Sequence, residues 1–255
     1  VTERGADVRY PRGGHSACFA VEDRSFWFQH RNEVIRALCT RWPAPGPVAD
    51  VGGGNGVVAA HLAAAGLDVL VVEPGADGCR NARARGVPRV VQATLRDAGL
   101  RPGEVGAVGA FDVLEHLDDP ADLLRTAHAL LPPGGRLYAT VPAYRLLWSD
   151  ADVEAGHVTR PTAGSLARLV ADAGFRVDFT TYFFAPLVPA VALLRALPWR
   201  LGLRRRGAIE SAARDHDPDQ LSVRAMAPAL RWELRRIAAG RRVPVGASVG
   251  LVATR

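Results

Sequence analysis

Asp50, Gly52, Gly54 and Gly56, with Glu73 after them, are the residues whose types and spacing most directly suggest chemistry. They lie in VADVGGGNGVVAAHLAAAGLDVLVVE, residues 48–73: an apolar run, a glycine cluster, an alanine-rich helical stretch and a second apolar run closed by an acid. Glycine permits a tight turn and lets the backbone approach a ligand, because no Cβ intervenes. An acid closing the second strand of such a unit is placed to accept from both hydroxyls of a ribose. The segment therefore predicts a nucleoside-type cofactor, in one of two forms. Gly54 to Ala59 reads as G-x-G-x-x-A, with Glu73 on the ribose of NAD, while Asp50 to Gly56 reads equally well as D-x-G-x-G-x-G. Further on, His116 follows Glu115 in DVLEHL and offers a side chain able to move protons near neutral pH.

These residues need a scaffold that brings strand ends together. Hydrophobic periodicity predicts strands at 47–51, 68–73, 89–92, 107–113, 135–141 and 175–183, with a last strand at the C-terminus. Helices are expected at 22–42, 55–65, 76–85, 120–131, 162–173 and 223–239. Apolar strands alternating with helices imply βαβ units and a parallel sheet covered on both faces. Residues 184–206, FAPLVPAVALLRALPWRLGLRRR, interrupt the alternation. Pro186, Pro189, Pro198 and Arg195 argue against a membrane span, so a hairpin or lid over the substrate side is expected, in preference to peripheral membrane contact. Residues 207–220 are polar and predict a mobile loop.

Composition narrows the partners. A length of 255 residues allows one large core with appendages, and 48% hydrophobic with 23% charged residues fits a globular chain. All 32 basic residues are arginine, which excludes a lysine base or Schiff base and, with the Ala, Gly and Pro richness, suggests a GC-rich bacterial genome. The net charge of +6 is spread along the chain, densest at Arg204–Arg206, and no RNA-binding module is visible, so no nucleic-acid partner is expected. Cys18, Cys39 and Cys79 have no C-x-x-C or His-Cys spacing, so free thiols and no metal are expected. The opening VTERGADVRYPRGG has no charged-then-apolar leader, which predicts a cytoplasmic location.

Three stretches resemble one family. Motif DVGGGNG, the segment GAFDVLEHLDDP at 109–120 and the following LLPPGGRLYATVP resemble the first glycine motif, the strand-four end and the strand-five region of class I S-adenosylmethionine (SAM) methyltransferases. SFWFQHRN at 25–32 and VPAYRLLWSDADVEAGHVTRPT at 141–162 are similar to a bacterial branch of that family (the type 11/12-like methyltransferases), the second departing from the pattern at Pro161. The resemblance implies an α/β, Rossmann-like sheet flanked by helices, with the last strand inserted antiparallel beside its predecessor and an appended helical lid. It divides the chain into an N-terminal helical segment at 1–42, a SAM-binding core at 43–184, an insertion with loop at 185–222 and a closing helix and strand at 223–255.

The resemblance also assigns roles. Asp50, Gly52, Gly54 and Gly56 would line the methionine part of SAM, Glu73 the ribose, Thr94 and Leu95 the adenine, and Asp112 and Val113 the sulfonium. Trp27 and Phe28 would cover the cofactor while Arg31 meets its carboxylate as a fork-like donor. Tyr144, Trp148, His157 and Arg160 would line the acceptor side, and His116 is the candidate general base, with a hydrogen-bonded helix-start role as the alternative. The expected reaction is transfer of a methyl group from SAM, leaving S-adenosylhomocysteine, to a small-molecule or peptide-derived acceptor. O-methylation is the default, in secondary metabolism or in envelope glycan or lipid modification. The alternatives are an NAD-type oxidoreductase and a SAM- or S-adenosylhomocysteine-binding relative that transfers no methyl group. No N/D-P-P-Y/F segment is present to grip a flipped base.

Overall fold

The computed structural model describes Phe19, residues 22–203 and residues 221–255, the last with backbone alone for 221–224. The opening segment with Cys18, the arginine cluster 204–206 and the expected loop 207–220 lie outside the described residues. The chain runs α1 (Phe26–Arg41), β1 (Val48–Val51), α2 (Val57–Ala64), β2 (Val69–Val72), α3 (Ala76–Ala84), β3 (Val90–Val91) and β4 (Ala107–Phe111). A 3-10 turn at Leu114–His116 leads to α4 (Pro120–Leu130) and β5 (Arg136–Pro142); another at Arg145–Leu147 leads to α5 (Asp150–Ala155), α6 (Ala163–Asp172) and β6 (Arg176–Phe183). A helical run then covers Ala185–Arg200, before α7 (Leu221–Ala238) and β7 (Ser248–Thr254).

The sheet order is β3-β2-β1-β4-β5-β7-β6, with β7 antiparallel to both β5 and β6 and every other pair parallel. Alternate strand residues serve opposite faces. Tyr138 of β5 packs with Ile35 and Leu38 of α1 and Ile237 of α7, whereas Leu137 and Ala139 pack with Leu124 of α4 and Leu166 of α6. Strand order reverses between β1 and β4, so a crevice opens beyond their carboxyl ends, where ligands bind in open α/β sheets.

Two expectations change in detail. Strand β4 stops at Phe111 instead of 113, because Asp112 turns the chain at φ 55°. The segment after β6 is one helical run and no hairpin. Pro189 and Pro198 each sit in the first turn of a short helix, on either side of a π stretch at Ala192–Ala196, where a missing N–H costs little. Among the described residues no helix is long and apolar enough to cross a membrane. Cys39 and Cys79 are buried free thiols.

Candidate active site

The glycine loop leaves β1 and is tied down by its own backbone. Gly52 N–H donates to Val72 O at 2.8 Å and Gly56 N–H to Gly53 O at 2.8 Å. Gly52 (φ +64°) has Val113 Cγ2 2.9 Å from where a Cβ would stand, and Gly56 (φ +74°) has Ala82 Cα at 2.9 Å. Both positions therefore demand glycine twice over, for backbone conformation and for space. Glu73, buried just past β2, accepts from Gly54 N–H at 2.9 Å through Oε2 and from Gly75 N–H at 2.7 Å through Oε1. Its two oxygens thus tie the end of β2 both to the glycine loop and to the start of α3.

Asp50 lies under the loop. Its Oδ2 is shielded from solvent and has no hydrogen-bond partner among the described residues. Burial pushes its carboxyl up to about 7, with the charge of Glu73 adding to the rise and that of Arg31 opposing it.

Arg31 projects from α1 towards the end of β4, where its Nη1 donates to Asp112 Oδ2 at 2.8 Å. The other Asp112 oxygen accepts from Thr140 Oγ1 at 2.9 Å. The guanidinium carbon stands 5.4 Å from the Trp27 ring centre and 5.0 Å from that of Phe28, within cation–π range. Trp27 in turn stacks on Phe184 at 5.2 Å. Phe184 is fixed from below: Glu233, fully buried on α7, accepts from the N–H groups of Phe184 and Ala185 and meets His30 Nε2, all at 2.8 Å.

Asp112, Tyr144 and Phe184 are the described non-glycine residues with positive φ, at 55°, 59° and 61°. They follow the carboxyl ends of β4, β5 and β6, three strands that run in one direction. Local backbone strain of this kind collects at functional sites, and here it marks one edge of the sheet.

Beyond that edge lies a cavity of about 720 Å³, bordered by Glu115, Tyr144, Arg145, Arg160, Leu166 and their neighbours. Tyr144 stacks on Tyr182 at 5.0 Å. Burial and the hydrogen bond with Tyr182 push Tyr144 up to about 12, so its phenol keeps its proton at neutral pH. Glu115 is 1% exposed and its Oε2 has no hydrogen-bond partner among the described residues. Burial and the nearby charge of Asp112 raise its carboxyl well above the usual range, against the pull of Arg31 and Arg160. His116 and His157 face each other edge to face at 4.9 Å. His157 Nδ1 is held by Asp152 Oδ1 at 2.8 Å, and the same oxygen is 3.2 Å from Arg160 Nε. Burial alone would raise Asp152, but the bond to His157 and the charge of Arg160 hold it below the usual carboxylate value.

A family model described as a methyltransferase domain matches residues 26–178, from α1 into β6 and across both the glycine loop and the DVLEHL turn. The chain belongs to the class I SAM-dependent methyltransferases. A probable SAM-dependent methyltransferase of Mycobacterium tuberculosis is 31% identical over 160 residues, 61% of this chain and 57% of that protein. A ubiquinone biosynthesis O-methyltransferase of Sodalis glossinidius is 32% identical over 120 residues, 44% of this chain and 48% of the relative. The matches thus span about half the length of these relatives. Among solved structures, a SAM-dependent methyltransferase of Thermotoga maritima, described as a possible histamine N-methyltransferase, superposes with TM-score 0.59 over 95% of both chains at 17% identity. Phosphoethanolamine N-methyltransferase 2 of Haemonchus contortus, solved with SAM, gives 0.58 over 97% of this chain and 58% of its own at 16%. At such identities the likeness is one of fold.

As a class I methyltransferase the chain has SAM as its cofactor, and the dinucleotide reading of the loop falls away. The site fits a cofactor that carries positive charge: beneath the glycine loop Asp50 keeps one buried carboxyl oxygen with no hydrogen-bond partner among the described residues. Of the residues expected at the cofactor, Trp27, Phe28, Arg31, Asp50, Gly52, Gly54, Gly56, Glu73 and Asp112 gather at the loop and the β4 end. Val113 and Leu95 are buried in the core on the α4 side, Val113 against Gly52. Thr94 donates to Asp97 Oδ2 at 2.6 Å, within its own turn. On the acceptor side Tyr144 and Arg160 border the cavity. His157 and His116 sit beside Glu115, with ligand atoms of all three within 4.8 Å of one another, and Trp148 is half-buried on the turn before α5.

Sequence reasoning missed three groups. Asp152 positions His157, and Glu233 anchors Phe184. Glu22 accepts from loop residue Asn55 at 3.1 Å and from Arg85 at 2.8 Å. Asp152 carried the one local signal, an acid three residues after Ser149, the pattern of a helix capping box.

Proposed function

We propose that this chain transfers the methyl group of SAM to a small-molecule or peptide-derived acceptor held in the cavity beside Glu115 and Tyr144, with a hydroxyl or carboxylate oxygen as the default nucleophile. Secondary-metabolite tailoring or modification of an envelope glycan or lipid is the setting we favour. The observation that carries this reading is position: the cavity meets the carboxyl ends of β4 and β5, and the glycine loop meets those of β1 and β2. Both therefore lie at one edge of the sheet. When bound, SAM supplies a methyl group on a cationic sulfur, open to in-line attack.

The chain's own residues then divide the work. Glu73 accepts from the ribose hydroxyls, and the glycine loop gives the cofactor's backbone-facing side close approach. Arg31, braced by Asp112 and the two aromatic rings, binds the cofactor carboxylate, and Trp27 and Phe28 close over it. The helical run after β6 forms a lid on the acceptor side. Holding the two reactants in line supplies much of the rate. His116, next to the cavity, takes the acceptor proton where the acceptor must lose one.

Incubation with methyl-labelled SAM and panels of phenols, sugars, carboxylic acids and amines tests the reading, with calorimetry of SAM and NAD alongside. Label transfer to an oxygen acceptor is expected. Tight SAM binding with no transfer to any class would point instead to a cofactor-binding relative.

A further inference from the structure

We propose that Glu115, His116 and His157 form a binding site for one divalent transition-metal ion of the zinc type, at the inner wall of the acceptor cavity. One ligand atom from each residue lies within 4.8 Å of the others. Ligand bonds of about 2.0–2.2 Å in a tetrahedral site put donors roughly 3.4 Å apart. Rotation about side-chain bonds by an ångström or so at the donor atoms closes that difference.

Three further observations point to an ion. The Oε2 atom of Glu115 is shielded from solvent and has no hydrogen-bond partner among the described residues; such a carboxylate oxygen is costly unless something positive meets it. His157 is already oriented as metal-binding histidines are. Its Nδ1 is bound by Asp152 Oδ1 at 2.8 Å, which leaves Nε2 as the atom able to ligate. Asp152 is itself fixed, its Oδ2 accepting from Ser149 N–H at 2.9 Å. Finally, the two ligand-bearing segments are locked together, since Val158 N–H donates to the Glu115 carbonyl at 2.7 Å. Local charge permits a cation: the carboxylates of Glu115, Asp112 and Asp152 face the guanidinium groups of Arg31 and Arg160.

Two imidazoles and one carboxylate suit zinc and its neighbours. Magnesium and calcium prefer all-oxygen sites and several waters. Because Glu115 lines the cavity, an ion held there can meet an acceptor oxygen. In that case, which rests on the methyl-transfer reading above, the bound O–H gives its proton to water. The oxygen then forms the new bond to the methyl carbon, and the electron pair of the breaking carbon–sulfur bond stays on sulfur. His116 is then a ligand, and proton abstraction by its imidazole is the route of the ion-free protein.

Tag-free full-length protein, stripped with a chelator, is titrated with zinc by calorimetry and with cobalt by visible absorption, with and without SAM. One ion per chain is expected, with the intense visible bands of tetrahedral cobalt, and equimolar magnesium should not compete. His157→Ala should weaken zinc by about 100-fold or more and Asp152→Asn by about 10-fold or more, with SAM affinity in His157→Ala close to that of the parent. Zinc binding that is substoichiometric, or equally tight in a folded His157→Ala, overturns the proposal even if SAM binds normally. Loss of SAM binding with the ion site intact would count against the methyl-transfer reading instead.

Discussion

Arg31 Nη1 stands 2.8 Å from Asp112 Oδ2, and this bond joins helix α1 to the positive-φ residue that ends β4. Both side chains are largely buried, at 8% and 16% exposure. The pair thus couples α1, proposed to cover the cofactor, to the end of β4, proposed to face the sulfonium. The same guanidinium also favours the charged forms of Asp50 and Glu115, so its removal is felt at three carboxyl groups.

Arg31→Ala should therefore lower stability by about 3 kcal/mol, the scale of leaving one partner of a buried ion pair uncompensated. Urea unfolding of Arg31→Ala, Asp112→Asn and the double variant measures the coupling. A coupling energy under about 0.5 kcal/mol would show that the two residues act independently.

Glu73→Gln should weaken SAM binding by about 1–3 kcal/mol, the worth of charge-assisted hydrogen bonds. The amide retains one acceptor atom where the carboxylate serves two N–H donors, at Gly54 and Gly75, so the loop loosens as well as the proposed ribose contact. Calorimetry with SAM checks this, and unchanged affinity removes the ribose assignment.

Much of the sheet was legible because its strands are short apolar runs that alternate with amphipathic helices. The local chemistry of Gly52, Gly56 and Glu73 was legible for a related reason: a turn and its partner acid lie within one βαβ unit. What the sequence hid are contacts that cross the fold. Glu22 meets Asn55 and Arg85, Glu233 meets Phe184, and the approach of His157 to Glu115 needs a backbone bond between residues 43 apart, Val158 to Glu115. No local periodicity encodes such pairs. The approach of His116 to His157 is of the same kind, since spacing along the chain says nothing of two imidazoles 4.9 Å apart. The π stretch after β6 was equally hidden, because prolines announce where a helix starts more clearly than how it winds.

In chelator-stripped protein His116→Ala should reduce turnover by about 100-fold while leaving SAM affinity within a few-fold of the parent, the signature of a residue that acts on the acceptor proton. Single-turnover transfer of labelled methyl, paired with calorimetry, separates the two effects. A parallel loss of SAM binding would move His116 from chemistry to cofactor positioning.

Asp50 makes stability depend on pH in a direction opposite to that of most carboxylates. Its group titrates near 3.8 when exposed and is raised to about 7 in the fold, chiefly by burial. Between those values the folded state holds a proton that the unfolded chain has released, so the proton's contribution is complete below about pH 4. It fades as pH rises and is gone above about pH 7. The loss is on the order of 4 kcal/mol at roughly 1.4 kcal/mol per pH unit. Asp50→Asn mimics the protonated acid without titrating. It should therefore melt above the parent at about pH 8, with the two converging near pH 4–5. A cationic cofactor bound beside the carboxylate favours its charged form, so the rise in melting temperature caused by SAM should be larger at about pH 8 than at about pH 5 in the parent alone. Equal pH profiles for parent and variant, with and without SAM, would show that Asp50 is a turn residue whose charge the fold does not sense.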